Sequence, residues 1–191
     1  MRRKPERTAA TRGAFLEAFY YLYDRTPVEK MTIQALADRA GYNRSTFYEY
    51  FEDIYDLIGS IEQEMLSLIR KDILVRIGKL EEEKDFVSIL SGIYRDNWRP
   101  MTVLFGEAYF PKFAATLKRE LIPAFADRMG LPMERPETGF LLDFYLSGIL
   151  AVIGRWVSAP DEMTMEEFAG LMGKIMGSMA QSGLFSIEKH T

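Results

Sequence analysis

Two short segments with helical apolar spacing meet at a single glycine, Gly41. The stretch reads Thr32-Ile-Gln-Ala-Leu-Ala-Asp-Arg-Ala-Gly-Tyr-Asn-Arg-Ser-Thr-Phe-Tyr-Glu-Tyr-Phe51. Ile33, Leu36, Ala37 and Ala40 are spaced to face one core. Gly41 stands where a sharp turn needs a residue that tolerates positive φ. Asn43 is placed to cap the next helix. Phe47 and Phe51, four apart, point back into the same core. Arg44, Ser45, Thr46 and Tyr48 are left on the outside. This layout is that of a helix-turn-helix.

The outward residues have the chemistry of a duplex reader. An arginine at 44 can donate two hydrogen bonds to a guanine edge or hold a phosphate. Asn43 can pair with adenine, and the Thr46 methyl can touch a thymine methyl. The hydroxyls of Thr32, Tyr42 and Tyr48 suit phosphate oxygens, and a helix starting near Thr32 favours an anion at its N-terminus. The competing interpretation is an ordinary helical hairpin with a solvated polar face.

Charge is unevenly spread. The formal net charge is −4, which taken alone argues against nucleic acid. Residues 1–50 nevertheless hold nine Lys/Arg and six Asp/Glu, a balance of +3, against −7 over the other 141. Such asymmetry hints at a basic, DNA-facing head on an acidic body. The sequence has no cysteine and a single histidine, His190. These counts leave no thiol nucleophile, no Cys-ligated metal and little for a His cluster or triad. The expectation is therefore no enzyme, no cofactor and no metal. Glu81–Glu83 and Glu166-Glu167 read as solvated charge, and no phosphate-cradling GxxxxGK[ST] occurs. Pro5-Glu6-Arg7-Thr8 follows the basic start where a signal peptide needs an apolar run. The expected location is cytoplasmic, without a membrane segment.

The rest of the chain is helical by pattern. Strand-like alternation is scarce. The spacing predicts nine helices: 8–25, 32–40, 44–50, 53–79, 86–97, 99–106, 110–129, 136–157 and 165–182. Pro123 predicts a kink or break, and Glu81 to Asp85 read as a loop. The class is all-α, in two domains. Residues 1–52 form a three-helix helix-turn-helix head with a basic N-terminal arm. Residues 53–191 form a helical regulatory and dimerisation body.

The run Thr32-Ile-x-x-Leu-Ala-x-x-Ala-Gly-Tyr-Asn-Arg-Ser-Thr-Phe-Tyr-x-Tyr-Phe, followed by Leu57, resembles the N-terminal domain of the TetR family of transcriptional regulators, over about residues 8–60. The resemblance implies that the second motif helix enters the major groove. Tyr42, Asn43, Arg44, Ser45 and Thr46 then map to base-facing positions, and Thr32 and Tyr48 to phosphate contacts. One departure stands out: the family often has Lys at the start of the long helix, where this chain has Ile54 between acids. The arm Arg2-Arg3-Lys4-x-x-Arg7 is a candidate substitute contact or a merely solubilising terminus.

The body offers a dimer face and a candidate pocket. Gly170, Gly173 and Gly177 along the last helix suggest close approach of another helix, within the chain or from a second copy. By resemblance the last two helices pair across a homodimer, placing Gly148, Ala151, Leu171, Gly173, Ile175 and Gly177 at the interface. A two-fold dimer suits a palindromic operator, with motif helices roughly 34 Å apart. Trp98, Met101, Phe105, Tyr109, Phe113, Phe140 and Phe144 form an aromatic-rich group, either solid core or the lining of a pocket for a small apolar or aromatic effector. The stretch from Phe144 to Phe168 also weakly resembles dihydroxyacetone-kinase-type regulators, in whose branch the body binds a partner protein. The expected function is a homodimeric sequence-specific DNA-binding regulator, a repressor released by an effector. The alternatives are a regulator whose body binds a partner protein and a helical module without DNA affinity.

Overall fold

The structure is a computed structural model that describes residues 5–71 and 83–181. It has eight α-helices among the described residues and no strand. In chain order they are α1 Pro5–Tyr23, α2 Ile33–Ala40, α3 Arg44–Phe47, α4 Ile54–Ile69, α5 Glu83–Leu104, α6 Phe110–Met129, α7 Pro136–Ser158 and α8 Met165–Gln181. The all-helical class matches the expectation, and the count differs by one. Residues 86–97 and 99–106, read as two helices, belong to one helix, α5, broken at Asn97 (φ −135°, ψ 30°). The Asn97 side-chain amide donates to the Ile93 carbonyl (3.1 Å), and Pro100 follows in the next turn. The break thus keeps a hydrogen bond on a carbonyl the bent backbone would leave open.

Three other boundaries move. Glu83 and Asp85 are helical rather than loop, since acids in a first turn face the positive end of the helix dipole. Pro123 does not break α6. It is exposed, on the side of the helix where water can serve an unpaired carbonyl. Beyond Ile69 the winding of α4 widens at residues 70–71, and the expected continuation over 72–79 lies outside the described residues.

The chain divides into two compact units, residues 1–63 and 64–191. The first holds α1, α2 and α3 around an aromatic core. Phe15, Phe19, Leu36, Ala37, Phe47 and Leu57 are fully buried in it. Phe47 lies edge-on to Phe15 (5.4 Å) and 5.4 Å from Phe51. Arg12 of α1 donates to Ser60 Oγ of α4 (2.9 Å), with its guanidinium 5.8 Å from the Phe51 ring.

In the second unit α6 packs along α7 and α5 along α8. α6 ends in a Schellman turn: Gly130 is left-handed (φ 65°), and the Leu131 N–H donates to the Ala126 carbonyl (2.9 Å). Ala126, Leu131 and Leu142 bury one another beneath it. Trp156 lies between Tyr94 (4.4 Å) and Phe168 (stacked, 4.6 Å). Its indole N–H donates to the Met163 carbonyl (2.8 Å) and so holds the α7–α8 connection.

α8 opens with the expected capping box. Glu167 accepts from the Thr164 backbone N–H (2.9 Å) and hydroxyl (2.8 Å), and the Thr164 hydroxyl accepts from the Glu167 N–H (3.3 Å). The backbone bond from Thr164, then its hydroxyl, holds the Glu167 carboxyl below its ordinary 4.5. A depressed carboxyl stabilises above its unfolded value and loses that contribution as pH falls through the native one. Acidification below about pH 4.5 is therefore expected to fray the first turn of α8. Glu167→Gln should remove that pH dependence in amide exchange at Phe168.

Candidate nucleic-acid interface and the cavity of the body

α2 begins where Thr32, in extended conformation, accepts the Ala35 N–H on its side chain (3.1 Å). It ends at Gly41, left-handed at φ 75°, with Tyr42 N–H returning to the Ala37 carbonyl (2.9 Å). The sequence assigned this turn to Gly41 for that reason. No atom lies within 4 Å of where a Cβ would stand on Gly41. Gly41→Ala is thus expected to cost only the backbone term, about 1–2 kcal/mol, read as a lower melting temperature.

Asn43 caps α3. Its Oδ1 accepts from the Thr46 N–H (2.8 Å), the Thr46 hydroxyl (2.9 Å) and the Ser45 hydroxyl (2.7 Å). This limits the adenine role foreseen for Asn43, because bidentate pairing needs Oδ1 as an acceptor. α3 is shorter than the expected 44–50. After Phe47 the chain tightens: Tyr48 sits at ψ −9°, and Glu49 and Tyr50 bond three residues back, to Thr46 and Phe47.

Arg44 is exposed at the first position of α3, with Nη2 3.4 Å from the Tyr48 hydroxyl. Tyr42 and Tyr48 are exposed, and their rings lean on the core: Tyr42 is 5.5 Å from Phe15 and Tyr48 5.8 Å from Phe47. The Tyr42 hydroxyl accepts from Thr11 (3.4 Å). Thr32 and Ser45 are exposed, and Thr46 is half-buried. Two aromatic rings anchored at one end, a guanidinium and short hydroxyls therefore share one exposed turn and helix. Sequence reasoning missed the pair Arg25 and Arg39, which lie 3.9 and 3.7 Å from the centroid of the Tyr21 ring. Nothing local links positions 21 and 39, so no sequence signal marked it.

The acids at the start of α4 have a local explanation. Asp53 accepts the Asp56 N–H (2.8 Å), and Asp56 accepts the Glu52 N–H (3.0 Å). They cap α4. Arg2, Arg3 and Lys4 of the basic arm lie outside the described residues.

In the body, Met101, Phe105 and Phe113 do line a common cavity, of about 70 Å³. Around it stand Ile69 of α4, Leu117 and Leu121 of α6, Leu150 and Ile153 of α7 and Met176 of α8. The other four residues named for a pocket are elsewhere. Trp98 is exposed beside Arg99, and Tyr109 precedes α6, its hydroxyl accepting from Lys112 (3.1 Å). Phe140 and Phe144 are 79% and 72% exposed. They were grouped by residue type, whereas the period of α7 turns Leu142, Leu146 and Ile149 inward and those two rings outward.

Gly148 and Ala151 are exposed on α7, and Leu171 on α8. Ile175 is half-buried, while Gly173 and Gly177 are already covered within the chain, where α8 lies along α5. Gly154, in contrast, sits under Phe105, whose ring carbon is 3.3 Å from a Cβ placed there. α7 is apolar enough in length and composition to cross a membrane. In this fold its inward side lines the cavity and its outward side carries Phe140, Phe144, Gly148 and Ala151.

A family model described as bacterial regulatory proteins, tetR family, matches residues 16–61. Two solved structures share the fold. One is described as the fatty acid degradation regulator FadR from Bacillus halodurans, at TM-score 0.64 and 12% identity over 100% of both chains. The other is described as the dihydroxyacetone kinase operon activator DhaS, at TM-score 0.55 and 13% identity over 90% of this chain and 95% of that one. No curated protein matches the sequence. The chain therefore carries, at residues 16–61, the N-terminal domain of the tetR family of bacterial regulatory proteins, within an all-helical fold like that of TetR-type regulators.

Proposed function

We propose that this protein is a cytoplasmic homodimeric transcriptional regulator that binds a palindromic operator and is released from it by an effector in the body. The observation that carries the reading is the exposed cluster of Tyr42, Arg44, Ser45 and Tyr48 on a glycine-turned helix pair, inside the family match. Arg44 reads a base edge, with Tyr42, Ser45 and Thr46 beside it, while Asn43 holds the helix start. Thr32 and Tyr48 position the head on phosphates. No catalytic role enters this reading. The test is a gel shift against the DNA flanking the protein's own gene, at stated salt. A specific shift is expected there, and its absence at low salt would sink the reading in favour of a module without DNA affinity.

The outward side of α7 supports the dimer. Two aromatics, an alanine and a glycine form an exposed apolar run that a second copy would cover. Phe144→Lys is expected to weaken the dimer at least tenfold in sedimentation without lowering monomer stability, because the ring is exposed in the single chain. Gly148→Ala separates the two views of that face. Its Cβ would meet nothing within 4 Å in one chain, so a free helix should gain about 0.5–1 kcal/mol, while a partner helix packed there would be pushed away. The expected outcome is the weaker dimer.

A second reading is favoured by the likeness to the structure described as an operon activator. There the body binds a partner protein in place of a small molecule. Retention of a defined protein partner by the isolated dimer, with no small-molecule effect on the gel shift, would support it.

A further inference from the structure

The cavity of the body is lined only by Met, Ile, Leu and Phe, and no polar atom faces it. Every deeply buried side-chain nitrogen or oxygen among the described residues has a hydrogen-bond partner. Polar side chains on the same helices are engaged with one another: Lys118 with Asp143 (2.8 Å) and Ser147 (3.0 Å), and Arg70 with Glu120 (2.9 Å). An ionised or hydrogen-bonding group placed inside would lose its water and gain nothing in exchange. The part of a ligand that enters is therefore hydrocarbon.

Size narrows the class further. The volume of about 70 Å³ is roughly half that of a dry apolar cavity known to admit a benzene ring, near 150 Å³. A ring would have to displace Phe105 or Phe113, which pack edge-on at 5.5 Å and are buried. A methylene chain is narrower and needs space only along a line. Met65, Met101 and Met176 stand on that wall, and each thioether side chain can swing aside through its three rotatable bonds. The free space is thus a channel with movable walls.

We propose that the cavity takes an unbranched alkyl chain of medium length, with the ligand's polar end left outside. The proposal rests on the reading of the body as the effector-receiving unit and adds the chemistry of what it receives. It makes no distinction between polar ends, since none is recognised inside. A fatty alcohol and a fatty acid of equal chain length should compete for the same place.

The test is isothermal titration of the full-length protein with 1-decanol, decanoate, 1-hexanol and benzyl alcohol, below micellar concentrations. Both ten-carbon ligands are expected to bind within about tenfold of each other and to compete, with 1-hexanol at least tenfold weaker and benzyl alcohol without signal. Binding of benzyl alcohol as tight as that of decanol overturns the proposal. So does binding of decanoate without decanol, which would locate a charged subsite, and so does no binding at all. Leu117→Phe, which fills the channel, should weaken decanol at least tenfold. Met176→Ala, which opens it, should shift preference several-fold toward 1-dodecanol and serves if the first variant fails to fold. Unchanged titrations in the folded variants overturn the proposal. A gel shift run in parallel separates the two readings. Chain binding without release of DNA leaves this inference standing and removes the effector role, while release by benzyl alcohol alone does the reverse.

Discussion

Phe47→Ala is expected to unfold the DNA-binding head while leaving the body folded. Phe47 has no exposed surface and is the ring shared by Phe15, Phe51 and Tyr48. Truncating a buried phenylalanine to alanine costs about 3–5 kcal/mol, from lost transfer energy and the cavity left behind. The ring contacts add to that, at about 0.5–1.5 kcal/mol per favourable aromatic pair. A small unit has a total stability of only about 5–15 kcal/mol, so most of it is at risk. α2 and α3 have 8 and 4 residues and cannot hold themselves without the core. Calorimetry should show the head transition lowered by more than about 10 °C, with the body transition in place. Specific DNA binding should fall with it. A head that melts at the wild-type temperature would show that Phe15 and Phe51 close over the gap, and that the core is less dependent on this ring than its burial indicates.

The head was legible in the sequence because its determinants are local. Gly41, Asn43, Phe47 and Phe51 each do a job fixed by neighbours within a few residues: a left-handed turn, a cap, two core rings. The body was legible as helices and much less so as surfaces. Apolar residues on α7 face two ways, and only the register against α6 decides which. Leu146 and Leu150 went to the cavity, while Phe140 and Phe144 went outside. A helix with apolar residues all round offers no moment to read a single face from. The glycines of α8 failed for a related reason. A small residue reports that something comes close, and the spacing carries no mark of whether the neighbour is α5 or a second copy. The break in α5 was visible as a boundary near Pro100, yet the amide of Asn97 carries the helix across it.

The charge pattern acquires a sharper meaning from the caps. Ile54 stands where the resemblance leads one to expect a basic phosphate contact, and the acids on either side of it are engaged by backbone N–H groups at the start of α4. Their negative charge stabilises the helix start. It also leaves the head with fewer positive contacts of its own. Sequence discrimination then rests heavily on few groups, of which Arg44 is the one exposed cation on the motif helix.

Arg44→Ala is therefore expected to abolish operator recognition without disturbing the fold. The side chain is exposed and its one recorded hydrogen bond, to the Tyr48 hydroxyl, is long at 3.4 Å, so the melting temperature should move by less than about 2 °C. A bidentate arginine–guanine contact contributes about 1–3 kcal/mol of discrimination. In a two-fold dimer it occurs twice, so the specific affinity should fall by roughly 30-fold to 10⁴-fold. Arg44→Lys decides how that loss arises. Lysine keeps the charge and lacks the planar fork, so it should retain non-specific affinity and the salt slope of binding while losing most of the preference for the operator. If lysine restores specific binding in full, Arg44 acts as a phosphate contact and base reading belongs to Tyr42 and Thr46. If alanine binds the operator as tightly as the native protein, the exposed turn at 42–46 is not the reading surface, and the proposed function loses the observation on which it stands.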